Sequence, residues 1–164
     1  MPGANEFIDL LNHNQNIIHK VCNLYMDNIS DREDLFQEIT LQAWNAYNSF
    51  RNESKFSTWL YRVALNTAIS FYRKEKRKPV IQSLNQIPEH ADDANNKEEQ
   101  MQAMYKAINA LSKIDKALIM LYLEDYNYEE IGNILGITAN NVAVKMNRIK
   151  TKLKEESKKH YQFS

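Results

Sequence analysis

A cluster of polar side chains near the C-terminus has the types and the spacing to read duplex DNA. Asn141, Lys145, Arg148 and Lys152 follow one another at four, three and four residues, with Asn140 beside them. That spacing sets them along one side of a helix. Asn can pair bidentately with adenine, Arg with guanine, and Lys holds phosphate. On the other side of the same helix, Val142, Met146, Ile149 and Leu153 form an apolar stripe. The segment before it carries its own stripe, Ile131, Ile134 and Leu135. Between the two, Gly136 can take the positive φ of a tight turn, Ile137 returns to the core, and Thr138 is a good N-cap. This is the pattern of a helix-turn-helix whose second helix enters a major groove. A helical hairpin with a merely solvated polar face shares it, so the rest of the chain has to decide.

A second cluster suits unpaired bases. Phe56, Trp59, Tyr61, Phe71 and Tyr72 are interleaved with Lys55, Arg62, Arg73, Lys74, Lys76, Arg77 and Lys78. Asn66, Ser70 and Arg73 fall at four and three residues and share one polar stripe. Just before them lies a polar loop, 48–55, with Asn48 and Arg51. Rings are stacking platforms for single-stranded bases, and cations follow their backbone. The competing reading is that the rings are core. Trp59 fits that better; Phe56 and Tyr72 fit either.

The elements that must position these residues are helical. Gly and Pro number only three each, and no apolar–polar alternation lasts the length of a strand. The fold class is all-α, with two small helical domains joined by a flexible acidic linker. The first domain spans 1–78. Residues 4–28 read as a helix that Asn12–Asn16 can interrupt. A second helix is capped by Ser30 or Asp31, with Leu35, Ile39, Ala43, Phe36, Trp44 and Tyr47 toward the core. A third is capped by Ser57 or Thr58, buries Leu60, Val63, Ala64, Thr67, Ala68 and Phe71, and stops at Pro79. The linker, 79–97, carries two prolines and acidic residues. The second domain spans 98–164. Its first helix runs from about Glu98 to Leu111 with Met101, Met104, Tyr105, Ile108 and Leu111 inward. A restart at Ser112, an apolar segment 116–123 and the helix-turn-helix follow, and the tail from Lys158 is expected to fray.

Formal net charge is zero, which would weigh against a nucleic-acid partner if charge were evenly spread. It is sorted instead: residues 73–78 carry net +4, residues 145–159 net +5, and residues 81–125 net −4. Local basic patches govern contact with phosphate. Cys22 is the single cysteine, which excludes an internal disulfide and a Cys-rich zinc site. His19 and Cys22 share a face, but a third ligand is missing nearby, so no metal is expected. No cofactor motif is present: no glycine-rich phosphate loop, no paired-His motif and no nucleophile elbow. No apolar run approaches the 18 residues of a membrane span, and no signal-peptide core opens the chain, so a cytoplasmic protein without membrane insertion is expected.

Three stretches together resemble the extracytoplasmic-function type of alternative RNA polymerase sigma factor, over about residues 5–157. SDREDLFQEITLQAWNAYNSF resembles the helix that docks on the clamp coiled coil of the polymerase β′ subunit. FSTWLYRVALNTAISFYRKEKRK resembles the helix that melts and reads the −10 promoter element. YNYEEIGNILGITANNVAVKMNRIKTKL resembles the helix-turn-helix that reads the −35 element. The resemblance implies polymerase contacts at Asp34, Gln37 and Glu38, with Leu35 beside them. It implies −10 contacts at Asn48, Arg51, Phe56, Asn66, Ser70, Tyr72, Arg73, Lys74 and Arg77, the loop 48–55 cradling a flipped base. It implies −35 contacts at Thr138, Asn140, Asn141, Lys145, Arg148 and Lys152. Ser70 stands where the family often has Asp, and Ala143 and Val144 where it commonly has Lys and Ser. The implied partners are core RNA polymerase (β′ clamp coiled coil and β flap), promoter DNA and an anti-sigma factor. No catalysis is implied. Two other readings compete: a stand-alone helix-turn-helix regulator, which needs a dimer on a two-fold site, and an all-α adaptor with no nucleic-acid role. The adaptor leaves both basic clusters unexplained.

Overall fold

The computed structural model describes residues 3–75 and 96–161, and every described element is helical. The all-α expectation holds. The N-terminal module is α1 (Ala4–His13), α2 (Gln15–Tyr25), α3 (Ile29–Ala46), a 3-10 turn (Tyr47–Ser49) and α4 (Phe56–Glu75). The expected break in the first helix falls at Asn14, whose side-chain amide donates to the Leu10 carbonyl at 2.8 Å. That bond closes α1 and lets α2 start anew.

Two expected caps are corrected. The N-cap of α3 is Asn28, not Ser30 or Asp31: its Oδ1 accepts from the Asp31 backbone N–H at 2.7 Å. Asn caps as well as Ser or Asp, so residue type alone could not choose among neighbours. Helix α4 begins at Phe56, so Ser57 and Thr58 sit inside its first turn. Ile18, Val21, Leu35, Ile39, Leu60, Ala64, Leu65 and Ala68 are fully buried between α2, α3 and α4. Each large aliphatic side chain so buried stabilises the fold by about 1.5–3 kcal/mol.

The C-terminal module is α5 (Asn96–Asn109), α6 (Lys113–Leu123), α7 (Tyr128–Leu135) and α8 (Ala139–Tyr161). Helix α5 starts two residues before the expected boundary. It buries Ala103 and Ala107, and Leu111 just past its end is buried too, while Met104 and Tyr105 are 43% and 61% exposed. Of the expected inward positions, Leu111 is buried and Ile108 partly buried, whereas Met104 and Tyr105 face outward. Small alanines let α5 lie close on α8, and the larger side chains are left outside. The side chain of Met101 lies outside the described residues. Ser112 restarts the chain as expected, its hydroxyl accepting from the Asp115 N–H at 3.2 Å. The final helix continues to Tyr161, past the point where fraying was expected. Residues 79–95 of the expected linker, and 162–164, lie outside the described residues.

The two modules touch. Helix α4 packs on α6 and α7, and most of the buried residues of both modules form one continuous cluster. No described helix is long and apolar enough to cross a membrane.

Candidate nucleic-acid interface

The helix-turn-helix is built by local chemistry. At its entrance Asn127 and Glu130 form a capping box: Asn127 Oδ1 accepts from the Glu130 N–H at 2.8 Å, and Glu130 Oε1 accepts from the Asn127 N–H at 3.0 Å. At its turn Gly136 sits at φ 75°, ψ 32°, the left-handed region that a residue with a Cβ resists. The Gly136 and Ile137 N–H groups both donate to the Gly132 carbonyl, at 2.8 and 3.0 Å. The Ile137 carbonyl also lies against Gly132, where a Cβ would come within 2.5 Å of it. Thr138 then caps α8, its hydroxyl accepting from the Asn141 N–H at 3.1 Å.

This turn aims α8. Val142, Met146 and Ile149 are buried against the module, and Leu153 is partly buried behind them. Thr138, Asn140, Asn141, Arg148 and Lys152 are exposed, and Lys145 is half-buried beside them. Asn140, Asn141, Arg148 and Lys152 thus stand on the open side of α8, with Thr138 just before its start. Lys150 points elsewhere: its Nζ lies 4.6 Å from the Tyr122 ring centroid and donates to the Tyr128 hydroxyl at 3.5 Å.

The loop before α4 is built by distant packing instead. Tyr47, Phe50, Phe56 and Trp59 pack on one another with ring centroids 5.3–6.3 Å apart, and Phe7 reaches in from α1 at 5.0 Å from Tyr47. Asn52 turns the loop at φ 56°. Beside it opens a cavity of about 630 Å³ lined by Glu6, Leu10, Tyr47, Phe50, Asn52, Ser54, Lys55 and Phe56, within the size range of small-ligand sites. Asn48 and Arg51 are exposed on the same loop. Phe56 is only 9% exposed. It forms part of the cavity wall and is no free-standing stacking platform.

On α4 itself Asn66 and Ser70 are exposed and lie on one side, as their spacing requires. Arg62 extends that stripe by one turn and is exposed too. Sequence reasoning grouped it only among interleaved cations, although its position four residues before Asn66 was the available signal. The side chains of Tyr72, Arg73 and Lys74, and the whole of Arg77, lie outside the described residues.

A third surface is acidic. On α3 Asp34 and Gln37 are exposed and Glu38 is half-buried. Leu35 is 0% exposed, the core-facing place its spacing predicts, so it anchors α3 from within and does not share the polar face of Asp34 and Gln37. A smaller cavity, about 320 Å³, lies between α2 and α3, with His19, Cys22, Arg32, Phe36 and Gln37 in its wall. Burial pushes the Cys22 thiol up to about 11, against a smaller opposing effect of Arg32. His19 stacks near Phe36 at 4.9 Å. No metal-holding group of His, Cys, Asp and Glu occurs among the described residues.

Two models of one protein family match these modules in order. Residues 10–78 match sigma-70 region 2, and residues 101–153 match sigma-70 region 4. The chain is 25% identical over 164 residues to the ECF RNA polymerase sigma factor SigW of Bacillus subtilis, covering 92% of this chain and 88% of that one. The chain belongs to the extracytoplasmic-function sigma factors. It is also 29% identical over 140 residues to the ECF RNA polymerase sigma-E factor of Escherichia coli, covering 76% of this chain and 73% of the other. Its fold matches that of the sigma factor RpoE from Bartonella quintana, solved in complex with the anti-sigma factor NepR: TM-score 0.73, 23% identity, 94% of this chain and 98% of that one. It also matches CnrH, solved with the cytosolic domain of CnrY: TM-score 0.66, 18% identity, 93% and 88% covered. A sigma factor directs RNA polymerase to promoters, and that is the function of this chain. Its region 2 contains the acidic face of α3, the ring-walled loop and the stripe of α4. Its region 4 match ends at Leu153 and so contains Thr138 and the polar positions Asn140, Asn141, Lys145, Arg148 and Lys152 of α8.

Proposed function

We propose a division of labour among the three surfaces of this sigma factor. The face of α3 around Asp34, Gln37 and Glu38 holds the β′ clamp coiled coil of core polymerase, and the C-terminal module sits at the β flap. Helix α8 enters the major groove at the −35 element, with Asn140, Asn141 and Arg148 at base edges and Lys145 and Lys152 at phosphates. Asn66, Ser70 and the cations that follow them on α4 take the −10 strand as the duplex opens. One base leaves the stack for the cavity beside Asn52. Extrusion costs a few kcal/mol, and a fitted pocket returns it best for one base, which gives specificity. The chain breaks and makes no bond, so it is not an enzyme. It works in the cytoplasm, where the polymerase is, and an anti-sigma factor masks the same surfaces.

The observation that carries this reading is the orientation of α8. Val142, Met146 and Ile149 of its apolar stripe are buried in the core while Asn140, Asn141, Arg148 and Lys152 are exposed. The deciding experiment is run-off transcription with bacterial core RNA polymerase on a pool of genomic promoter fragments, with and without the chain. Discrete new start sites that need the chain are expected, and aligning them yields its −10 and −35 sequences. Absence of transcripts, together with failure of core polymerase to retain the chain on a column, would overturn the reading. A stand-alone regulator would instead bind duplex DNA without polymerase.

A further inference from the structure

The open face of α8 is polar except at its centre. At about 100° per residue, the direction opposite Val142, Met146 and Ile149 falls on Val144. That side chain is 50% exposed. Asn140, four residues before it, and Arg148, four residues after it, are exposed as well, and so are Asn141 and Asn147, three residues to either side. Among the described side chains of α8, Val144 is the one apolar group larger than alanine that is exposed: Val142, Met146 and Ile149 are buried and Leu153 is partly buried.

Folding does not account for a valine there. A β-branched side chain loses rotamer freedom in a helix, and one left half in solvent recovers little of that by burial. Lys, Gln or Ala would make the better helix. Single exposed apolar residues are common on protein surfaces, so it is the position of this one that singles it out. The rotation that puts it there is fixed by the turn: Gly132 against the Ile137 carbonyl, Gly136 in the left-handed region and the Thr138 cap together set how α8 departs. The lysines flank this face and do not share its centre. Lys145 is half-buried at its edge, and Lys150 is held by Tyr122 and Tyr128.

An α-helix about 10–12 Å across fills a major groove about 12 Å wide. The flanks of such a helix meet phosphate, and its outermost line of side chains meets the groove floor. That floor presents hydrogen-bond donors and acceptors and one methyl group, the 5-methyl of thymine. Val144 has no donor and no acceptor in its side chain. Set against an adenine amine or a guanine carbonyl, it would strip water from a polar group and return no bond. Set against the thymine methyl, it removes apolar surface from water on both sides.

We propose that Val144 reads a thymine 5-methyl group in the −35 element, so that promoter choice by this sigma factor depends on a methyl contact as well as on hydrogen bonds. The inference rests on the placement of α8 proposed above. Asn140, Asn141 and Arg148 then read the base pairs around that thymine by hydrogen bonds. Burial of one methyl-sized group corresponds to about fourfold in affinity.

The test uses the full chain assembled with core polymerase, on a promoter recovered by the run-off experiment. Each thymine of the −35 element, on both strands, is replaced singly by deoxyuridine, which lacks only the methyl. At one position the replacement should weaken holoenzyme binding about fourfold, and there Val144→Ser should bind thymine and deoxyuridine alike. Cytosine at that position should bind more weakly than thymine, and 5-methylcytosine should recover about fourfold over cytosine. Urea unfolding of Val144→Ala and Val144→Ser should show no large fall in midpoint, because the side chain is not part of the core. A scan in which no deoxyuridine weakens binding would overturn the inference, as would −35 sequences without an A·T pair. So would a methyl effect of the same size in Val144→Ser, which would assign the methyl to another side chain, such as that of Thr138. Each of these outcomes leaves the sigma reading standing, because the promoter is transcribed. A chain that yields no promoter at all would sink that reading and this one together.

Discussion

The loop at 50–55 and the turn at 136–138 do comparable work by opposite means. Each sets the direction of the helix that follows it, α4 or α8, the two helices proposed to meet nucleic acid. The turn is specified by residues next to it: Gly136 at φ 75°, the Thr138 cap, and the Asn127–Glu130 capping box one helix back. The loop is specified by rings from three separate segments, Phe7 on α1, Tyr47 and Phe50 flanking it, and Phe56 and Trp59 on α4. Its one irregular backbone position, Asn52 at φ 56°, has no glycine to ease it. A structure set by local rules tolerates loss of any one of them. A structure set by packing depends on volume and should fail more steeply.

That contrast is most exposed at Phe56. Phe56→Ala removes a ring shared by Tyr47, Phe50 and Trp59 and should cost about 3–5 kcal/mol, read as a fall in the urea midpoint. The loop should also become susceptible to proteolysis at 50–55. A loss below about 1 kcal/mol would mean that the ring cluster does not hold the loop.

The largest effect expected in the turn is at Gly132, and its cause is packing. A Cβ there would lie 2.5 Å from the Ile137 carbonyl. Gly132→Ala should therefore cost about 1–3 kcal/mol, as overpacking does, and should displace the start of α8. Gly136→Ala places a side chain at φ 75° and should cost roughly 1 kcal/mol. Thr138→Ala removes the cap for about the same loss, and Thr138→Ser should recover most of it. Chemical denaturation of the full chain would rank the three. Gly132→Ala proving the mildest would show that the helix-turn-helix is held by local rules alone.

The same contrast explains what the sequence disclosed. The helix-turn-helix was legible down to its cap, because Gly136, Thr138 and the 142–146–149 stripe are short-range signals. So was the break at Asn14, within a polar run. Capping residues were misplaced where several good caps stand together, as at Asn28, Ser30 and Asp31. The face of α5 was misjudged because periodicity favoured Met104 and Tyr105, whereas close approach to α8 required Ala103 and Ala107. Leu35 was read as core from its spacing and as a neighbour of the polymerase contacts from resemblance, and its burial favours the first. The cavity beside the loop, with Glu6 in its wall, joins residues some fifty positions apart, and no local pattern encodes that. Neither does any pattern encode the bond that the Arg62 guanidinium donates to the Asn133 carbonyl at 2.7 Å.

The smallest stability effect expected is at Asn52, and it separates folding from reading. Asn tolerates the left-handed region better than most residues, and Gly occupies it freely. Asn52→Gly should therefore change stability by no more than about 0.5 kcal/mol, while Asn52→Ala should lose roughly 1 kcal/mol. Both remove the amide from the cavity wall. If the cavity receives an unstacked base, both should impair promoter opening alike, despite their different stabilities. Permanganate footprinting of the −10 region with the assembled holoenzyme would show it. Matched loss across the two variants would assign the amide to the base. Opening that tracked stability, unimpaired in Asn52→Gly and weakened only in Asn52→Ala, would reduce Asn52 to a turn residue and leave base selection to the rings and charges around it.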